Sequence, residues 1–471
     1  MKVAFIHYHL KTGGVTTVLK QQLKALPEHW SSVVVTGRAP EASFPARWIR
    51  IPQLAYSSQY KGRVDPVEVA GAILAAIRKS LKGPCDVLHV HNPILAKNHH
   101  FMQILKELQR KGANLLLQVH DFAEDGRPRA FFTEPYPANC HYCVLNRRDY
   151  DHLLKAGLTS KGLHLLGNSV PHPGRIPSPS ADNPQPFTLY PVRAIRRKNI
   201  GEAILLSLFF NDRSTLSITL PPNSAEDIES YTGWKRFAKE RHLPVEFERG
   251  LHSDFKTSVV SAVSLLTTSI TEGFGFSFLE PWLYEKFLWG RKLPAICRDF
   301  EQKGILLPHL YSHLLVPVEW IRLRRFRTKW EDCVRLACGL FNYSIDDGSI
   351  QQSFDSATRK GHIDFGLLDE GSQKKVLTHI LGDRNKYDKM MQLNSFLANP
   401  GEMPGKEKII HNNRKAIEKG YNPAQYARKL RQIYERVADT AVKHSIDKSV
   451  LISAFLDLEN FSLLKWSDYA E

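Results

Sequence analysis

The chain has 471 residues, 42% hydrophobic and 24% charged, values that exclude disorder over most of its length and predict two or three domains rather than one core. No apolar run approaches the roughly 20 residues a bilayer span requires, and six cysteines are too few for a disulfide framework in so long a chain, which predicts the reducing cytoplasm. The net charge is +16 and uneven, residues 1–170 carrying 22 Lys and Arg against 12 Asp and Glu. This predicts an anionic partner, either a phosphorylated substrate or an acidic lipid surface at the inner membrane face; the scatter of the charges argues against nucleic acid.

In chain order, "MKVAFIHYHL" predicts a first buried strand rather than a secretory signal. "GVTTVLKQQLKAL" follows as a helix and "SSVVVTGR" as a strand. "VDPVEVAGAILAAIRKSL" has apolar residues at helical spacing, and "CDVLHVHN" returns to a strand. A helix ended by Gly112 leads to the strand "ANLLLQVHD", and "HYCVLN" and "LHLLGNSV" complete the set around the helix "RRDYDHLLKAGL". Apolar strands alternating with helices predict a parallel sheet covered on both faces. Six prolines between Pro171 and Pro186 then predict a semi-rigid linker.

The alternation restarts with the strands "FTLYPV", "STLSITL", "VEFERGL" and "SAVSLLTTS", followed by "LPAICRDF" and "SHLLVPV", also expected as strands. A long loop is expected over 342–366, and "NPAQYARKLRQIYERVADTAV" is a helix. The expected organisation is an N-terminal Rossmann-like domain at 1–170, a linker at 171–186, and a second Rossmann-like domain at 187–420. Helices at 421–471 are expected to cross back to the first domain. Ligands of such sheets bind outside the carboxyl ends of the strands, here in the cleft expected between the domains.

Four features fall at those ends. Gly13 and Gly14 separate the first strand from its helix; paired glycines let a ligand approach backbone N–H groups, with a plain turn as the alternative. Arg193 and Lys198 follow the first strand of the second domain, where two cations suit a diphosphate; a solvated basic turn is the alternative. "TEGFGFSFLE" sets Glu272 and Glu280 on either side of a glycine-rich bend. A helix is expected to begin near Phe276, placing Glu280 one to two turns inside it. Carboxylates accept from sugar hydroxyls, but acids at a helix start are also favoured by its dipole. His120 ends "LLLQVH", a place where a lone histidine is more often structural than catalytic.

Taken in order, these motifs resemble the retaining glycosyltransferases of family 4, whose GT-B fold faces two Rossmann-like domains across a cleft. The resemblance covers residues 1–300 and, more loosely, 421–437. It rests on the Gly-Gly loop, on Arg193 and Lys198 five apart, and on Glu272 and Glu280 around Gly-Phe-Gly. "LLGNSV" adds to it, keeping Asn168 of the family's Pro-Asn-Gly stretch with Ser169 in place of glycine.

The resemblance implies a hexosyltransferase of carbohydrate biosynthesis that uses a UDP- or GDP-sugar, with no cofactor and no metal beyond this donor. Arg193 and Lys198 would neutralise the diphosphate, Glu272 would hold the sugar with the backbone of Gly273, Phe274, Gly275 and Phe276 nearby, and Glu280 would take the ribose. Gly13 and Gly14 would approach the donor phosphates, and His120 would touch the transferred sugar. The acceptor, whether a sugar, polyol, lipid or phosphorylated compound, stays open. "EPWLYEKFLWGRKLP" is longer and more aromatic than the family's pattern, and "STLSITLPPN" lacks its glycine. Rival readings are an epimerase or phosphorylase on the same fold, or a non-catalytic polyanion-binding protein.

The remaining motifs carry less. Cys140 and Cys143 have metal-ligand spacing without a second pair, and His7/His9 and His89/His91 each share a strand face, fitting zinc less well than crevice hydrogen bonding. "WIRLRRFRTKW" mixes cations with aromatics, as an anionic membrane contact or as a solvated helix face; "LAKNHHF" is a second stretch of that kind.

Overall fold

The computed structural model describes all residues except 42, 178–184, 211–213, 399–402 and 467–471; part of the proline-rich linker therefore lies outside the described residues. The chain divides into two compact units, Met1–Pro171 with Tyr421–Leu456, and His172–Gly420 with Asp457–Glu471.

The first unit is a seven-stranded sheet of β1 (Lys2–His7), β2 (Ser31–Thr36), β3 (Trp48–Arg50), β4 (Val87–His91), β5 (Leu115–Val119), β6 (His141–Val144) and β7 (Leu163–Leu165). The order is β3-β2-β1-β4-β5-β6-β7, parallel throughout. Both faces of β1 are buried: Ala4 and Ile6 belong to one apolar cluster, Val3 and Phe5 to the other. That two-sided burial is why the strand reads as a continuous apolar run. The helix Pro423–Asp439 supplies Tyr426, Leu430, Ile433 and Tyr434 to the second cluster. β3 is the one strand of this sheet that the sequence pattern misses, because three residues at a sheet edge are too few to show a period.

The second unit holds β8 (Phe187–Arg193), β9 (Thr215–Leu220), β10 (Val245–Glu246), β11 (Ser264–Thr267) and β12 (Leu288–Gly290), in the order β10-β9-β8-β11-β12 and again parallel. Gly290 (φ 124°) lies so near β11 that an added Cβ would sit 2.0 Å from the Thr267 carbonyl oxygen, so this strand requires glycine there.

Several expected elements are corrected. "LPAICRDF" is a helix, Pro294–Glu301, not a strand. Proline at its first turn and the burial of Ile296, Cys297 and Phe300 are helical features. The loop expected at 342–366 contains a helix, Asp347–Ala357, capped by Asp346 and buried through Ile350 and Phe354. It also contains β14 (His362–Asp364), antiparallel to β13 (Leu315–Pro317); polar surface residues hid both. No α-helix starts at Phe276: Phe276–Phe278 is a single 3-10 turn, and the four-residue helix Glu280–Leu283 begins at Glu280 itself. The segment 421–471 is shared, its helix at 423–439 lying on the first sheet and residues from Asp457 belonging to the second unit.

Candidate functional site

In the second unit the chain runs from β8 to β9 and β10 on one side and re-enters at β11 on the other. The carboxyl ends of β8 and β11 therefore flank the topological switch point, where doubly wound sheets bind ligands. The Arg196–Lys198 turn follows β8 and the glycine-rich bend follows β11, and long-range hydrogen bonds tie the two together. Tyr190 donates its hydroxyl proton to the Lys198 carbonyl (2.6 Å). Thr268 donates to the carbonyls of Lys198 (3.0 Å) and Asn199 (3.1 Å), and the Ile270 N–H to that of Arg197 (3.0 Å). Asn199 adopts a left-handed conformation (φ 51°), which asparagine tolerates, and accepts from Gln373 (2.9 Å) while donating to Glu202 (2.7 Å). On another side of the turn packs the short C-terminal helix Leu463–Trp466.

This frame brings the Lys198 ammonium onto the Glu272 carboxylate. The side chains are 14% and 11% exposed. Burial lowers the Lys198 pKa, with the Arg197 charge adding to it and Glu272 opposing. Burial pushes Glu272 the other way, but Lys198 and then Arg197 outweigh it and hold the carboxyl below its usual range. Gly275 (φ 93°) turns the bend; a Cβ there would press to 3.0 Å from Phe278 and 3.2 Å from Ile296. Phe274 is buried and packs edge-on against Phe276 and Phe300, so both phenylalanines support the bend, and Gly273 lies beside Glu272.

Arg193 is not drawn into the pair. It is exposed and donates to the Pro221 carbonyl (2.9 Å), while Arg197, which sequence reasoning passed over, supplies the second positive charge near Glu272. Glu280 is half-buried and makes no hydrogen bond or ion pair among the described residues. Burial alone pushes its carboxyl up to about 7. A carboxyl partly withdrawn from water without a partner is costly unless a ligand supplies donors.

In the first unit, the switch point lies between β1 and β4. Gly13 and Gly14 begin the helix Gly14–Ala25, which has no side-chain cap; a Cβ added at either would meet nothing within 4 Å, so the approach to its first-turn N–H groups is open. Alternate residues of three neighbouring strands become polar toward their carboxyl ends: Val3, Phe5, His7; Val87, His89, His91; Leu116, Gln118, His120. His91 Nδ1 meets His120 Nε2 at 2.8 Å, and His89 Nδ1 meets the Tyr434 hydroxyl at 2.8 Å. The His120 N–H is held by Asn92 Oδ1 (2.8 Å). Burial holds these imidazoles neutral, lowering His120 to about 4, His7 and His89 to about 3, and His91 well below its ordinary value.

Among the described residues no three His, Cys, Asp or Glu side chains converge as metal ligands. Cys140 and Cys143 are buried thiols, their pKa values pushed up to about 12 by burial. No helix among the described residues is long and apolar enough to cross a membrane. Most of "WIRLRRFRTKW" lies at the start of the helix Leu323–Leu340, with Phe326 and Trp330 buried and Arg324 and Arg325 exposed.

No protein-family model matches the chain. It is 26% identical over 449 residues, 84% of both chains, to mannosylglucosyl-3-phosphoglycerate synthase of Petrotoga mobilis. Its fold is similar over 92% of its length to sucrose-phosphate synthase from Thermosynechococcus elongatus (98% of that chain, 14% identity, TM-score 0.51). It is similar over 92% of its length to HepE from Anabaena in complex with UDP and glucose (98% of that chain, 10% identity, TM-score 0.53). Two parallel Rossmann-like sheets with a helical C-terminal region give the chain the GT-B fold of these structures.

Proposed function

We propose that the protein transfers a hexose, with retention of anomeric configuration, from a UDP- or GDP-sugar to an acceptor hydroxyl. The observation that carries this reading is the Lys198–Glu272 pair fixed at the switch point of the second sheet, with the unpartnered Glu280 eight residues on. In this reading Lys198, with Arg193 and Arg197, stabilises the departing diphosphate. Glu272 takes donor-sugar hydroxyls, beside the backbone of Gly273 to Phe276. Glu280 takes the ribose, whose two hydroxyls give that carboxylate the donors it lacks. In the first unit we assign Gly13 and Gly14 to the donor phosphates and His120 to the transferred sugar. The leaving phosphate accepts the acceptor's proton as the new bond forms on the same face, so no enzymic nucleophile is required. Fixed cations supply the charge neutralisation, and turnover is expected to survive EDTA.

The acceptor we favour is anionic. The Petrotoga relative is named for a product bearing a phosphoglycerate group, an anion at neutral pH, and residues 1–170 carry the basic excess. The test is a thermal-shift panel of nucleotide-sugars, since a bound donor stabilises the folded state by mass action. It is followed by transfer assays with phosphorylated, carboxylated and neutral acceptors, with the product anomer read by NMR. Inversion, or loss of turnover in EDTA that is restored by manganese, overturns the mechanism. Absence of any donor shift and any transfer overturns the reading itself.

A further inference from the structure

The imidazole pair of the first unit has a defined proton arrangement. His91 is fully buried, and its Nε2 has no hydrogen-bond partner. A buried N–H without an acceptor is rarer and costlier than a buried lone pair without a donor, so the single proton of neutral His91 belongs on Nδ1. That Nδ1–H points at His120 Nε2, 2.8 Å away, and must find a lone pair there. Neutral His120 then carries its own proton on Nδ1. The neighbouring rings obey the same rule. His89, stacked on His91 at 4.6 Å, has a partnerless Nε2 and puts its Nδ1 against Tyr434, while His7 has a partnerless Nδ1. Burial keeps the rings neutral, with Asp121 the opposing charge at His120.

We propose that His91 is a positioning residue that fixes His120 as its Nδ1–H tautomer, so that His120 presents a hydrogen-bond donor, and not a base, to a sugar oxygen. His120 is 7% exposed, its backbone is pinned by Asn92, and its Nε2 is engaged by His91, which leaves Nδ1 as the ring atom available to a ligand. A donor here can hold an oxygen of the transferred sugar and takes no proton from the acceptor hydroxyl, which gives its proton to the leaving phosphate. The sugar contact rests on the transferase reading; the tautomer does not.

Long-range proton–nitrogen NMR of the full chain labelled at histidine nitrogens, at pH 7.5, reads the tautomer directly. His91→Asn and His120→Asn variants supply the assignments. His120 is expected to show a protonated Nδ1 and a bare Nε2; the reverse overturns the proposal. His91→Asn places an amide N–H where Nδ1 stood and is expected to keep kcat within about threefold, whereas His91→Phe keeps a ring but removes the donor. The latter is expected to lower kcat about 10- to 100-fold, the scale seen when an orienting partner of an imidazole is lost, with affinity for the bare nucleoside diphosphate unchanged. Full kcat in His91→Phe with an unaltered His120 tautomer overturns it, and if that variant does not fold, the wild-type spectrum decides. A protein inactive on every nucleotide-sugar defeats the transferase reading while the spectrum still tests the tautomer.

Discussion

The carboxyl ends of the two sheets differ in how they hold polar groups. Behind the second sheet's switch point stand full charges, Lys198 on Glu272 with Arg197 beside them, and the partnerless Glu280, whose carboxyl burial pushes up to about 7. The first sheet ends in neutral imidazoles and amides that hydrogen-bond in chains. The contrast extends below the sites. In the second unit Arg291 is buried between Glu202 and Asp364, with two contacts to each at 2.7–2.8 Å. In the first unit Gln22, Gln118 and Tyr426 form a buried neutral cluster beneath the strand ends, and the buried ion pairs of Arg148 with Asp125 and Asp149 stand at the helix that follows β6. In the transferase reading proposed above, the fixed cations of the second unit suit a diphosphate, and the neutral groups of the first unit suit further sugar hydroxyls without competing electrostatically with the leaving group.

The largest effect expected from breaking this contrast is at Arg291. Arg291→Met leaves two carboxylates facing each other without a countercharge, costing about 3–5 kcal/mol. It should loosen the Lys198 turn through Glu202 and Asn199. Hydrogen exchange should rise across 187–207 and 362–382 and not in β1 to β7; a uniform rise would show that the charged layer is not specific to the second unit.

Next comes Lys198→Ala, expected to lower kcat about 100- to 1000-fold, the scale of one lost group that stabilises transition-state charge. Because Glu272 is left buried and unpaired, this variant should also be less stable than the double variant Lys198→Met/Glu272→Gln, and unfolding curves would show it. Equal loss of nucleoside diphosphate affinity on substituting His7 would erase the distinction between the sheets.

The smallest effect sharpens the contrast through pH. Glu280 has a folded pKa of about 7 against an ordinary 4.5, so the folded state binds the extra proton. Its cost to stability is absent below 4.5, grows as pH rises, and is complete above about 7, at roughly 3 kcal/mol. His7 and His89 are shifted down from 6.5 to about 3, so the first unit should instead lose stability as pH falls below 6.5. Hydrogen exchange at pH 5, 6.5 and 8 should therefore find the two units weakening at opposite ends. Glu280→Gln should flatten only the second unit's response, and it should remove the rise in donor affinity expected as the carboxylate ionises through pH 7.

The sequence by itself determined the elements with a period: six of the seven strands of the first sheet, the restart after the prolines, and the helix at 423–439. Burial on both faces writes itself into neighbouring residues as an unbroken apolar run. Local rules misled where composition and period disagreed. "LPAICRDF" looks apolar enough for a strand, yet its buried positions 296, 297 and 300 are spaced for a helix. Sequence intervals also singled out Lys198, Glu272 and Glu280 as groups of interest, and put Arg193 beside them.

Which of these groups meet was decided only by tertiary structure. Lys198 and Glu272 stand 74 positions apart and touch because Tyr190 and Thr268, neither marked by any motif, stitch two loops across adjacent strands. Arg193 turns instead to the Pro221 carbonyl, just past the end of β9. His91 and His120 are 29 apart, and their proton arrangement depends on which ring nitrogens the packing leaves without partners. The C-terminal segment reaches the Lys198 turn from the far end of the chain, with Leu463, Leu464 and Trp466 buried. Hydrogen bonding and desolvation act through space between residues remote in sequence, so no local pattern records them, whereas strand and helix periods are set by each residue's immediate neighbours.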